Sequence, residues 1–521
     1  MRKYIFITGG VMSSLGKGII ASSIGLILKS MGKRVSILKF DPYLNVDAGS
    51  MNPYQHGEVF VTADGGEVDL DLGHYERFLS KNMTRINNVT SGNLYKSIIE
   101  KERKGDFLGQ TIQVIPHLTH EIKERIRLVG EREESDVVII EIGGTVGDIE
   151  SLPFLEAAFE FKGEEDSYFF HVTYVPYLET TQEFKTKPTQ HSVKELRSIG
   201  IHPDALFLRS KMKVGEEEKK KISKYLGIPI KNIFGVENLS SPYFVPEHLL
   251  NSGIKDTLHE LGLESKKLDL SEWINFTASL KKERRKKKVG IIGKYVTLKD
   301  SYISLEEAIL HAGAKAEIDP EINWISSEDI EKGKKIPDDI DGIIIPGGFG
   351  KRGIEGMMMS VRYARENKIP FLGICLGLQI VVIEFFRNRV GWKDAHSTEF
   401  NKDTSHPVID LLSSQREIEM LGGTMRLGEG EVIIEEGSLA EEIYKTKVIR
   451  ERHRHRYTFN LSYLNVLKDY EMDVSGRSRQ GEVEIVEIKN HPFFIGVQFH
   501  PEFSSKPLNP NPLFVSFLKH L

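Results

Sequence analysis

Cys375 is the only cysteine in the 521-residue sequence, and glycines stand two residues away on each side, at Gly373 and Gly377. The apolar residues before it predict a buried strand, and the residues from Leu378 onward predict a helix. The cysteine therefore lies at a tight strand-to-helix bend, as in a nucleophile elbow, where the helix N-terminus favours a thiolate. A cysteine buried only for packing is the alternative.

A histidine and a carboxylate near the end of the chain could serve such a thiol. His500 and Glu502 follow the apolar run Phe493–Val497 and are two residues apart. In an extended segment this spacing places both side chains on one side, so Glu502 could hold the imidazole. A thiol, a base and an orienting carboxylate form the set expected for nucleophilic catalysis.

A glycine-rich loop near the start of the chain predicts phosphate binding. The run Gly9–Gly18 lies between a predicted strand, Tyr4–Thr8, and a predicted helix, Ile19–Met31. Inward-pointing backbone N–H groups and the ammonium of Lys17 could cradle phosphate. The P-loop pattern is incomplete, because one glycine is displaced and Gly18 replaces the usual Ser/Thr. A tight structural turn is the alternative.

Two acidic positions could complete that phosphate site by binding magnesium. The run Glu67–Leu72 alternates carboxylate and aliphatic residues, which would present its acids together if the run were extended. Glu141 falls near the end of the predicted strand Asp136–Ile142, and ligands bind at the carboxyl ends of strands in open parallel sheets. Asp71 and Glu141 are therefore candidate magnesium ligands near Lys17, although each alone could be an ordinary loop or ion-pair residue.

The composition is that of a globular protein, with 40% hydrophobic and 28% charged residues. The formal net charge of −5 argues against general nucleic-acid binding. A single cysteine excludes an internal disulfide framework and fits a reducing cytoplasm. The chain runs directly into a predicted strand, and it contains no apolar run of membrane-spanning length. We therefore expect a cytoplasmic location, without nucleic-acid or membrane partners.

The segments Gly373–Gln379, His500–Glu502 and Pro346–Gly350 resemble the class I glutamine amidotransferase family. The resemblance implies that Cys375 attacks the side-chain amide of glutamine, forms a thioester and releases ammonia, with His500 and Glu502 as its catalytic partners. It also implies an oxyanion hole made by backbone N–H groups. The residues implied to contact glutamine are Gly348, Leu376, Gly377, Leu378, Gln379, Glu399 and Arg456.

Further motifs resemble the CTP synthase family, and the resemblance extends from Tyr4 to near Phe517. The motifs are Ile7–Gly18, Gln55–Phe60, Asp69–Phe78, Glu141–Glu150, Lys185–Gln190 and Arg452–Tyr457. The resemblance implies that ATP phosphorylates O4 of UTP and that ammonia then displaces the phosphate at C4, giving CTP. It also implies sheltered passage of ammonia, since free ammonia is mostly protonated at neutral pH.

The same resemblance implies roles for individual residues of the first half. Those implied to bind ATP are Ser14, Leu15, Gly16, Lys17, Gly18, Ile19, Lys39 and Asp71, and those implied to hold Mg²⁺ are Asp71 and Glu141. Those implied to contact UTP or the inhibitory product CTP are Ser13, Asp148, Ile149, Glu150, Lys185, Thr186, Lys187, Pro188, Thr189, Gln190 and Lys221. GTP is implied as an allosteric activator. A homotetramer is implied as well, while filament formation stays open.

The fold expected from these resemblances is α/β with two domains. Residues 1–265 are expected to form a P-loop-like, parallel-sheet synthetase domain, and residues 289–521 a class I glutamine amidotransferase domain. Residues 266–288 are interpreted as a basic interdomain linker. Its run Lys281–Lys288 could attract nucleic acid, but a solvated tether is favoured because the rest of the chain is acidic.

Two positions depart from the pattern of the CTP synthase family, and two other functions stay open. Gln182 stands where glycine is frequent, which could alter a turn. Ile303 stands where lysine is common, near the predicted domain boundary, which puts coupling between the domains or GTP activation in doubt. A regulatory or filament-forming protein with inactive sites would release no ammonia from glutamine. A different ATP-dependent amidotransferase, such as a cobyrinate-type amidase, would not turn over UTP and should lack the Lys185–Gln190 motif.

Overall fold

The computed structural model describes residues 2–51, 56–263, 268–296, 298–412 and 425–521. The chain divides into two compact units, of which the first comprises Met1–Ala48 and Asp71–Thr277 and the second Gly49–Leu70 and Ala278–Leu521. The division differs from the predicted boundaries, because residues 49–70 group with the second unit. Gln55 of one motif and residues 265–267 around the start of the predicted linker lie outside the described residues.

Within the described residues, the first unit is built on a seven-stranded sheet whose neighbouring strands are all parallel. The strand Val137–Ile142 is buried at every position, as expected for a parallel strand covered on both faces. The parallel sheet predicted for this half is confirmed. In spatial order the strands are Ile233–Glu237, Ala205–Ser210, Ser167–Tyr174, Lys3–Gly9, Val137–Ile142, Val35–Asp41 and Asn88–Thr90.

Helices connect these strands, and the predicted helix after the glycine-rich loop begins at Lys17 rather than Ile19. Tyr4 and Phe6 of the central strand pack in one apolar cluster with helices on one side of the sheet. The described helices of this unit are Lys17–Ser30, Asp71–Leu79, Ser91–Lys104, Thr119–Arg132, Leu152–Lys162, Lys187–Ser198, Glu216–Leu226, Val245–Asn251 and Ile254–Glu260, together with Ser271–Lys281, which continues past the last residue of the unit, Thr277.

The extended conformation predicted for Glu67–Leu72 is wrong. Only Glu67–Val68 forms a strand, and Asp71 begins a helix, where a carboxylate favourably faces the partial positive charge of the N-terminus. Within the second unit, Glu67 accepts a hydrogen bond from Arg454 at 2.9 Å. Within the first unit, Asp71 forms an ion pair with Lys39. The alternating acids therefore do not act as one cluster.

The second unit contains a nine-stranded sheet, parallel in its first part and antiparallel in the rest. In spatial order its strands are Ile318–Ser326, Arg285–Gly293, Gly342–Ile345, Phe371–Ile374, Phe494–Val497, Val483–Ile488, Met472–Ser478, Arg426–Ile434 and Val448–His455. A smaller sheet comprises His396–Ser397, Pro407–Leu411 and Tyr457–Phe459. Short strand pairs are Phe60–Val61 with Glu67–Val68 here and Tyr177–Leu178 with Glu183–Phe184 in the first unit.

The helices of the second unit cover both faces of the parallel part of its sheet, which splits its core into two apolar clusters. They are Ile303–Ala316, Ser327–Glu331, Ile354–Asn367, Leu376–Phe385, Leu439–Tyr444, Leu464–Asp469 and Pro512–Lys519. Among the helices that the structure describes, none combines the length and apolar character needed to cross a bilayer.

The basic run Lys281–Lys288 does not form a solvated tether. Lys281 ends a helix, and Arg285 begins the strand Arg285–Gly293. Carboxylates take up the charge, since Lys286 pairs with Glu321 at 2.7 Å and Lys287 pairs with Asp341 at 2.8 Å. The acids lie far away in sequence, so composition alone suggested a free basic segment.

Candidate active sites

Three loops of the second unit converge because they follow three adjacent parallel strands. The strand Phe371–Ile374 pairs with Gly342–Ile345 on one side and with Phe494–Val497 on the other. Carboxyl ends of parallel strands share one edge of a sheet. Cys375, the loop Pro346–Gly350 and the segment 498–502 therefore meet at that edge.

Cys375 occupies a strained bend that holds its sulfur in a fixed place. Its backbone has φ 51° and ψ −97°, and its N–H donates to Val497 O at 2.7 Å. The helix begins directly after it, at Leu376, two residues earlier than predicted. A Cβ at Gly377 would lie 2.4 Å from Ile345 O, so only glycine permits this close approach. Such a bend is the geometry of a nucleophile elbow.

His500 and Glu502 contact each other, although the extended segment predicted for them is wrong. Pro501–Phe503 forms a 3₁₀ turn, which brings Glu502 Oε1 to 2.7 Å from His500 Nδ1. The imidazole also stacks on Phe503, with ring centroids 5.1 Å apart. Proline in the first turn favours this local geometry. Carboxylate and ring together fix the orientation of the imidazole.

The electrostatics of this group favour a charged imidazole beside the sulfur. Burial alone would lower the pKa of His500, but the charges of Glu502 and Cys375 raise it to about 10. His500 Nε2 is buried, and a hydrogen bond between the imidazole and Cys375 also raises this pKa. A thiolate paired with an imidazolium can attack an amide carbonyl and then protonate the leaving nitrogen.

Gln498 also touches the cysteine, and the sequence reasoning missed it. Its Nε2 donates to Cys375 Sγ at 3.7 Å, and the residue has no solvent exposure. Its place at the sulfur depends on the pairing of the strand Phe494–Val497 with Phe371–Ile374, which no local pattern in the sequence indicates. Hydrogen bonds to an ionised acceptor are stronger than those to a neutral one, so this amide can donate to the thiolate that attacks the substrate.

Some of the predicted glutamine-contacting residues lie around Cys375 or its neighbouring loop, whereas others are buried or bonded elsewhere. Around the cysteine, a Cβ on Gly348 would lie 3.3 Å from Leu376 Cδ2, and Glu399 Oε1 accepts the Gly350 N–H at 2.8 Å. By contrast, Leu378 packs in the core. Three other predicted residues are placed as follows. Gly377 is buried, and Gln379 donates to Tyr457 O at 3.0 Å. The carbonyl of Arg456 accepts the N–H of Leu412 at 2.9 Å.

A cavity of about 410 Å³ opens on Cys375 and His500. Gly348 and Phe349 line one part of it, and Glu58 and Val59 line another. The segment 49–70 is held by Arg452, which donates to Val61 O at 3.0 Å, and by the Arg454–Glu67 bond. Part of the cavity wall therefore comes from a segment that the sequence reasoning assigned to the other domain.

A second group of functional candidates lies in the first unit, at the carboxyl edge of its sheet. Lys17 Nζ donates to Gly144 O at 2.6 Å. Lys39 forms ion pairs with Asp71 and, at 3.4 Å, with Asp41. The strands that carry Lys39 and Glu141 are direct neighbours. Strand order therefore brings together cations and acids that are far apart in sequence.

Asp71, which is half-buried, and Glu141, which is buried, form an acidic pair beside Gly18. A Cβ on Gly18 would lie 2.5 Å from Asp71 Oδ1 and 3.4 Å from Glu141 Oε2, which explains why no larger residue stands there. Burial and the Asp71 charge raise the pKa of Glu141 to about 8, against the opposing effect of Lys39 and Lys17. A divalent cation would relieve this unfavourable pair.

The donor set fits Mg²⁺ only with help from phosphate. The described residues hold no group of three or more His, Cys, Asp or Glu side chains arranged for a metal. Mg²⁺ in nucleotide sites is commonly bound by one or two carboxylates together with phosphate oxygens and water. Asp71 and Glu141 supply that number of carboxylates.

A cavity of about 230 Å³ adjoins the glycine-rich loop and was not anticipated from the sequence. Gly16 and Ile19 line it from the loop side, and Arg209, Val236 and Asn238 line it from the adjacent strands and the residue that follows. Arg209 is fixed by Val236 O at 2.9 Å and by Asn238 Oδ1 at 3.1 Å. The strands Ala205–Ser210 and Ile233–Glu237 become neighbours only in the folded sheet, so no local pattern in the sequence indicates this cavity.

The predicted ATP-contacting residues at the loop differ in exposure. Ser14 is exposed, Gly16, Lys17 and Ile19 are half-buried, and Leu15 and Gly18 are buried. Ser14 has φ 57° and Gly16 has φ 82°. Ser13, predicted to contact UTP or CTP, is exposed as well. Leu15 is 5% exposed, so its backbone is the part offered to a ligand. This arrangement leaves the loop backbone free to face phosphate.

The predicted pyrimidine-nucleotide residues do not form one connected cluster. Gln190 Nε2 donates to Thr186 Oγ1 at 3.1 Å, and Thr189 Oγ1 donates to Tyr174 O at 3.2 Å. In the described chain, no hydrogen bond links Asp148, Ile149 or Glu150 to the Lys185–Gln190 motif. Among the other predicted residues, Lys185 forms an ion pair with Glu183. Pro188 is partly buried, and Lys187 and Lys221 are exposed.

The two departures from the family pattern have structural consequences. Gln182 adopts φ 51°, the left-handed region that favours glycine. Ile303 begins a helix, and the next residue, Ser304, donates its backbone N–H to Glu58 Oε2 at 3.1 Å. The Gln182 turn is therefore strained, and Ile303 lies beside the attachment point of the segment 49–70.

The folds and geometries define the class of protein: a class I glutamine amidotransferase unit joined to a parallel-sheet unit with a phosphate-binding loop. Residues 3–263 match the family model described as CTP synthase N-terminus, and residues 297–520 match that of glutamine amidotransferase class-I. The chain belongs to the CTP synthase family, whose members are glutamine-hydrolysing, ATP-dependent ligases.

Curated relatives match over essentially their whole length. CTP synthase of Methanopyrus kandleri is 50% identical over 99% of this chain and 98% of its own. CTP synthase of Sulfurisphaera tokodaii is 51% identical over 100% and 99% of the two chains. A CTP synthase of Thermus thermophilus is 52% identical over 99% and 96%.

Proposed function

We propose that this protein makes CTP by aminating UTP at C4, using ATP and ammonia released from glutamine, with Cys375 as the nucleophile. The observation that carries the proposal is the meeting of the strained Cys375, the His500–Glu502 pair and the loop that carries Gly348. Membership of the CTP synthase family supplies the substrates for the other unit.

In glutamine hydrolysis, the thiolate of Cys375 attacks the side-chain carbonyl carbon while backbone N–H groups of Gly348 and Leu376 stabilise the developing oxyanion. His500 gives its proton to the departing nitrogen, so ammonia leaves and a thioester remains. His500 then removes a proton from water, which hydrolyses the thioester and releases glutamate. Glu502 keeps the imidazole oriented throughout. Glu399 and Arg456 bind the amino and carboxylate groups of glutamine, alongside Gly377, Leu378 and Gln379.

In the first unit, the loop Ser14–Ile19 binds the phosphates of ATP, and the ammonium of Lys17 neutralises their charge. Lys39 leaves Asp71 and faces the transferred phosphoryl group. Phosphoryl transfer depends mainly on charge neutralisation and alignment, which these cations supply. The 230 Å³ cavity beside Gly16 and Ile19 receives the adenine base. Transfer to O4 of UTP yields a 4-phospho-UTP intermediate, from which ammonia displaces phosphate.

Mg²⁺ is the metal proposed for the Asp71–Glu141 pair. The carboxylates would hold it against the ATP phosphates, where the ion supplies charge neutralisation when bound. Lys39, now paired with Asp71, becomes available once that carboxylate has another cation.

Regulation and assembly are also part of the proposal. UTP contacts Ser13, Lys221 and the motif Lys185–Gln190, and CTP inhibits through Asp148, Ile149 and Glu150. The separation of these residues, and the exposure of Ser13, Lys187, Lys221 and residues 148–150, fit nucleotide sites completed by other subunits of a homotetramer. GTP acts as an allosteric activator. We further propose a cytoplasmic location and no nucleic-acid or membrane partner.

The direct test is purified protein incubated with UTP, ATP, magnesium and glutamine, with CTP separated by chromatography. CTP should form only in the complete mixture, and ammonium chloride should replace glutamine. Omission of magnesium should stop both routes. Hydrolysis of glutamine without CTP in any mixture would refute the assignment of UTP as acceptor, and no hydrolysis at all would favour a regulatory protein with inactive sites.

A further inference from the structure

A buried lysine lies beneath the loop that carries Gly348. Lys294 directly follows the strand Arg285–Gly293 and is 5% exposed. Its Nζ donates to Phe349 O at 3.1 Å and also to Gly350 O. A Cβ on Gly348 would lie 3.9 Å from Lys294 Cδ, so the aliphatic stem passes beside that residue. One side chain thus bonds two consecutive carbonyls of the loop and passes beside the residue that precedes them.

Glu399 holds the same loop through the opposite backbone group. Its Oε1 accepts the Gly350 N–H at 2.8 Å, while Lys294 bonds the Gly350 carbonyl. A cation and an anion therefore bracket one residue. The Lys294 ammonium also lies 5.8 Å from the ring centroid of Phe400, within range of a cation–π interaction.

Burying an ammonium is costly unless it is paired and hydrogen-bonded. Burial lowers the pKa of Lys294 to about 8. The nearby positive charge of Arg352 lowers this pKa further, whereas the negative charges of Glu399, Glu331 and Glu328 raise it. A lysine buried against this free-energy penalty is expected to contribute to function or to stability. The loop supplies a reason, because residues 346–349 have no helix or strand to hold them.

We propose that Lys294 is a positioning residue for glutamine hydrolysis, which fixes the loop so that the N–H of Gly348 meets the oxyanion. The inference rests on the proposed role of Gly348 in the oxyanion hole. A donor aimed at developing charge works only if it is held in place beforehand. Anchoring two successive carbonyls restricts the backbone torsions of the residues just before them.

The alternative is that Lys294 merely balances the charge of Glu399 in the glutamine-binding site. The two roles differ in kinetics. Loss of oxyanion positioning lowers kcat, since the oxyanion exists only near the transition state, whereas a changed Glu399 weakens substrate binding and raises KM.

The experiment measures glutamine hydrolysis by the full-length enzyme with UTP and ATP present. Lys294→Met should lower kcat about 10- to 100-fold with little change in KM. Lys294→Arg, which keeps the charge and its hydrogen bonds, should recover part of the loss. Lys351→Met removes an exposed lysine next to the same loop and should behave as wild type.

Two further readouts exclude damage to the fold. Ammonia-dependent CTP synthesis by Lys294→Met should equal that of wild type, and iodoacetamide should alkylate Cys375, the only thiol, at the wild-type rate. A rise in KM with unchanged kcat would overturn the proposal, as would loss of ammonia-dependent synthesis or slowed alkylation.

Cys375→Ala separates this inference from the proposed function. If Cys375→Ala still hydrolyses glutamine, the proposed thiol chemistry fails, and the role of Lys294 fails with it. If Cys375→Ala is inactive but Lys294→Met retains full kcat, only the inference about Lys294 is wrong.

Discussion

The Cys375 site and the Lys17 site handle charge in opposite ways. At Cys375, the reacting groups already favour one another, because Glu502 and the sulfur hold a charged imidazole and Gln498 donates to the sulfur. At the Lys17 site, the lysines already have partners within the protein. Lys39 forms an ion pair with Asp71, and Lys17 donates to Gly144 O. The thiol site is organised before substrate binds, whereas the phosphate site needs its ligands to separate its ion pairs.

Removal of the Lys17 ammonium should produce the largest effect. Lys17→Ala should lower CTP synthesis on the order of 10³-fold with either nitrogen source, because nothing else in the loop neutralises the phosphates. Rates with glutamine and with ammonium chloride provide the measurement, and Lys104→Ala, at an exposed helix position, is the matched control. Survival of either route would remove Lys17 from phosphate handling.

Neutralising Glu502 should disable only the thiol site. Glu502→Gln should slow glutamine-dependent synthesis on the order of 10²- to 10⁴-fold, since the imidazole loses its orienting charge. Ammonia-dependent synthesis should be unchanged. The pKa of His500 should fall, because the Glu502 charge helps to raise it, and the alkaline limb of glutamine hydrolysis should shift to lower pH.

Glu435→Gln, which neutralises an exposed glutamate instead, is the control for Glu502→Gln. An equal loss with ammonia, or an unchanged pH profile of hydrolysis, would contradict the role given to Glu502.

Restoring the usual P-loop hydroxyl at Gly18 should harm the enzyme. In Gly18→Ser the new Cβ would lie 2.5 Å from Asp71 Oδ1, so the acidic pair must shift. We expect about a 10-fold rise in KM for ATP with magnesium, a modest effect because loss of binding geometry leaves Lys17 in place. Gly163→Ser, at an ordinary negative φ, is the control. Tighter ATP binding by Gly18→Ser would show that the carboxylates are not held against Gly18.

Loss of the Gln498 amide should give the smallest effect. Gln498→Leu removes one donor from the sulfur and should slow alkylation of Cys375 by iodoacetamide about 3- to 10-fold at neutral pH, the scale of one hydrogen bond. Gln480→Leu changes an exposed glutamine instead and should have no effect. An unchanged alkylation rate in Gln498→Leu would mean that the contact does not stabilise the thiolate.

Features carried by one strand and its following turn could be predicted from the sequence. The Cys375 elbow and the loop before Lys17 are of this kind, because glycine spacing and apolar periodicity report local geometry. Gln498, Lys294 and the Arg209 cavity depend on which strands become neighbours, and local patterns do not contain that information. The grouping of residues 49–70 and the ion pairs of Lys286 and Lys287 were missed for the same reason.

Nitrogen is released at Cys375 and used at the nucleotide site, and the two steps are separable. The measurement is CTP formation by full-length Cys375→Ala, with glutamine and with ammonium chloride in parallel. Cys375→Ala should form no CTP from glutamine and should form CTP from ammonia at the wild-type rate. Retained synthesis from glutamine, or loss of synthesis from ammonia in a folded variant, would contradict this separation.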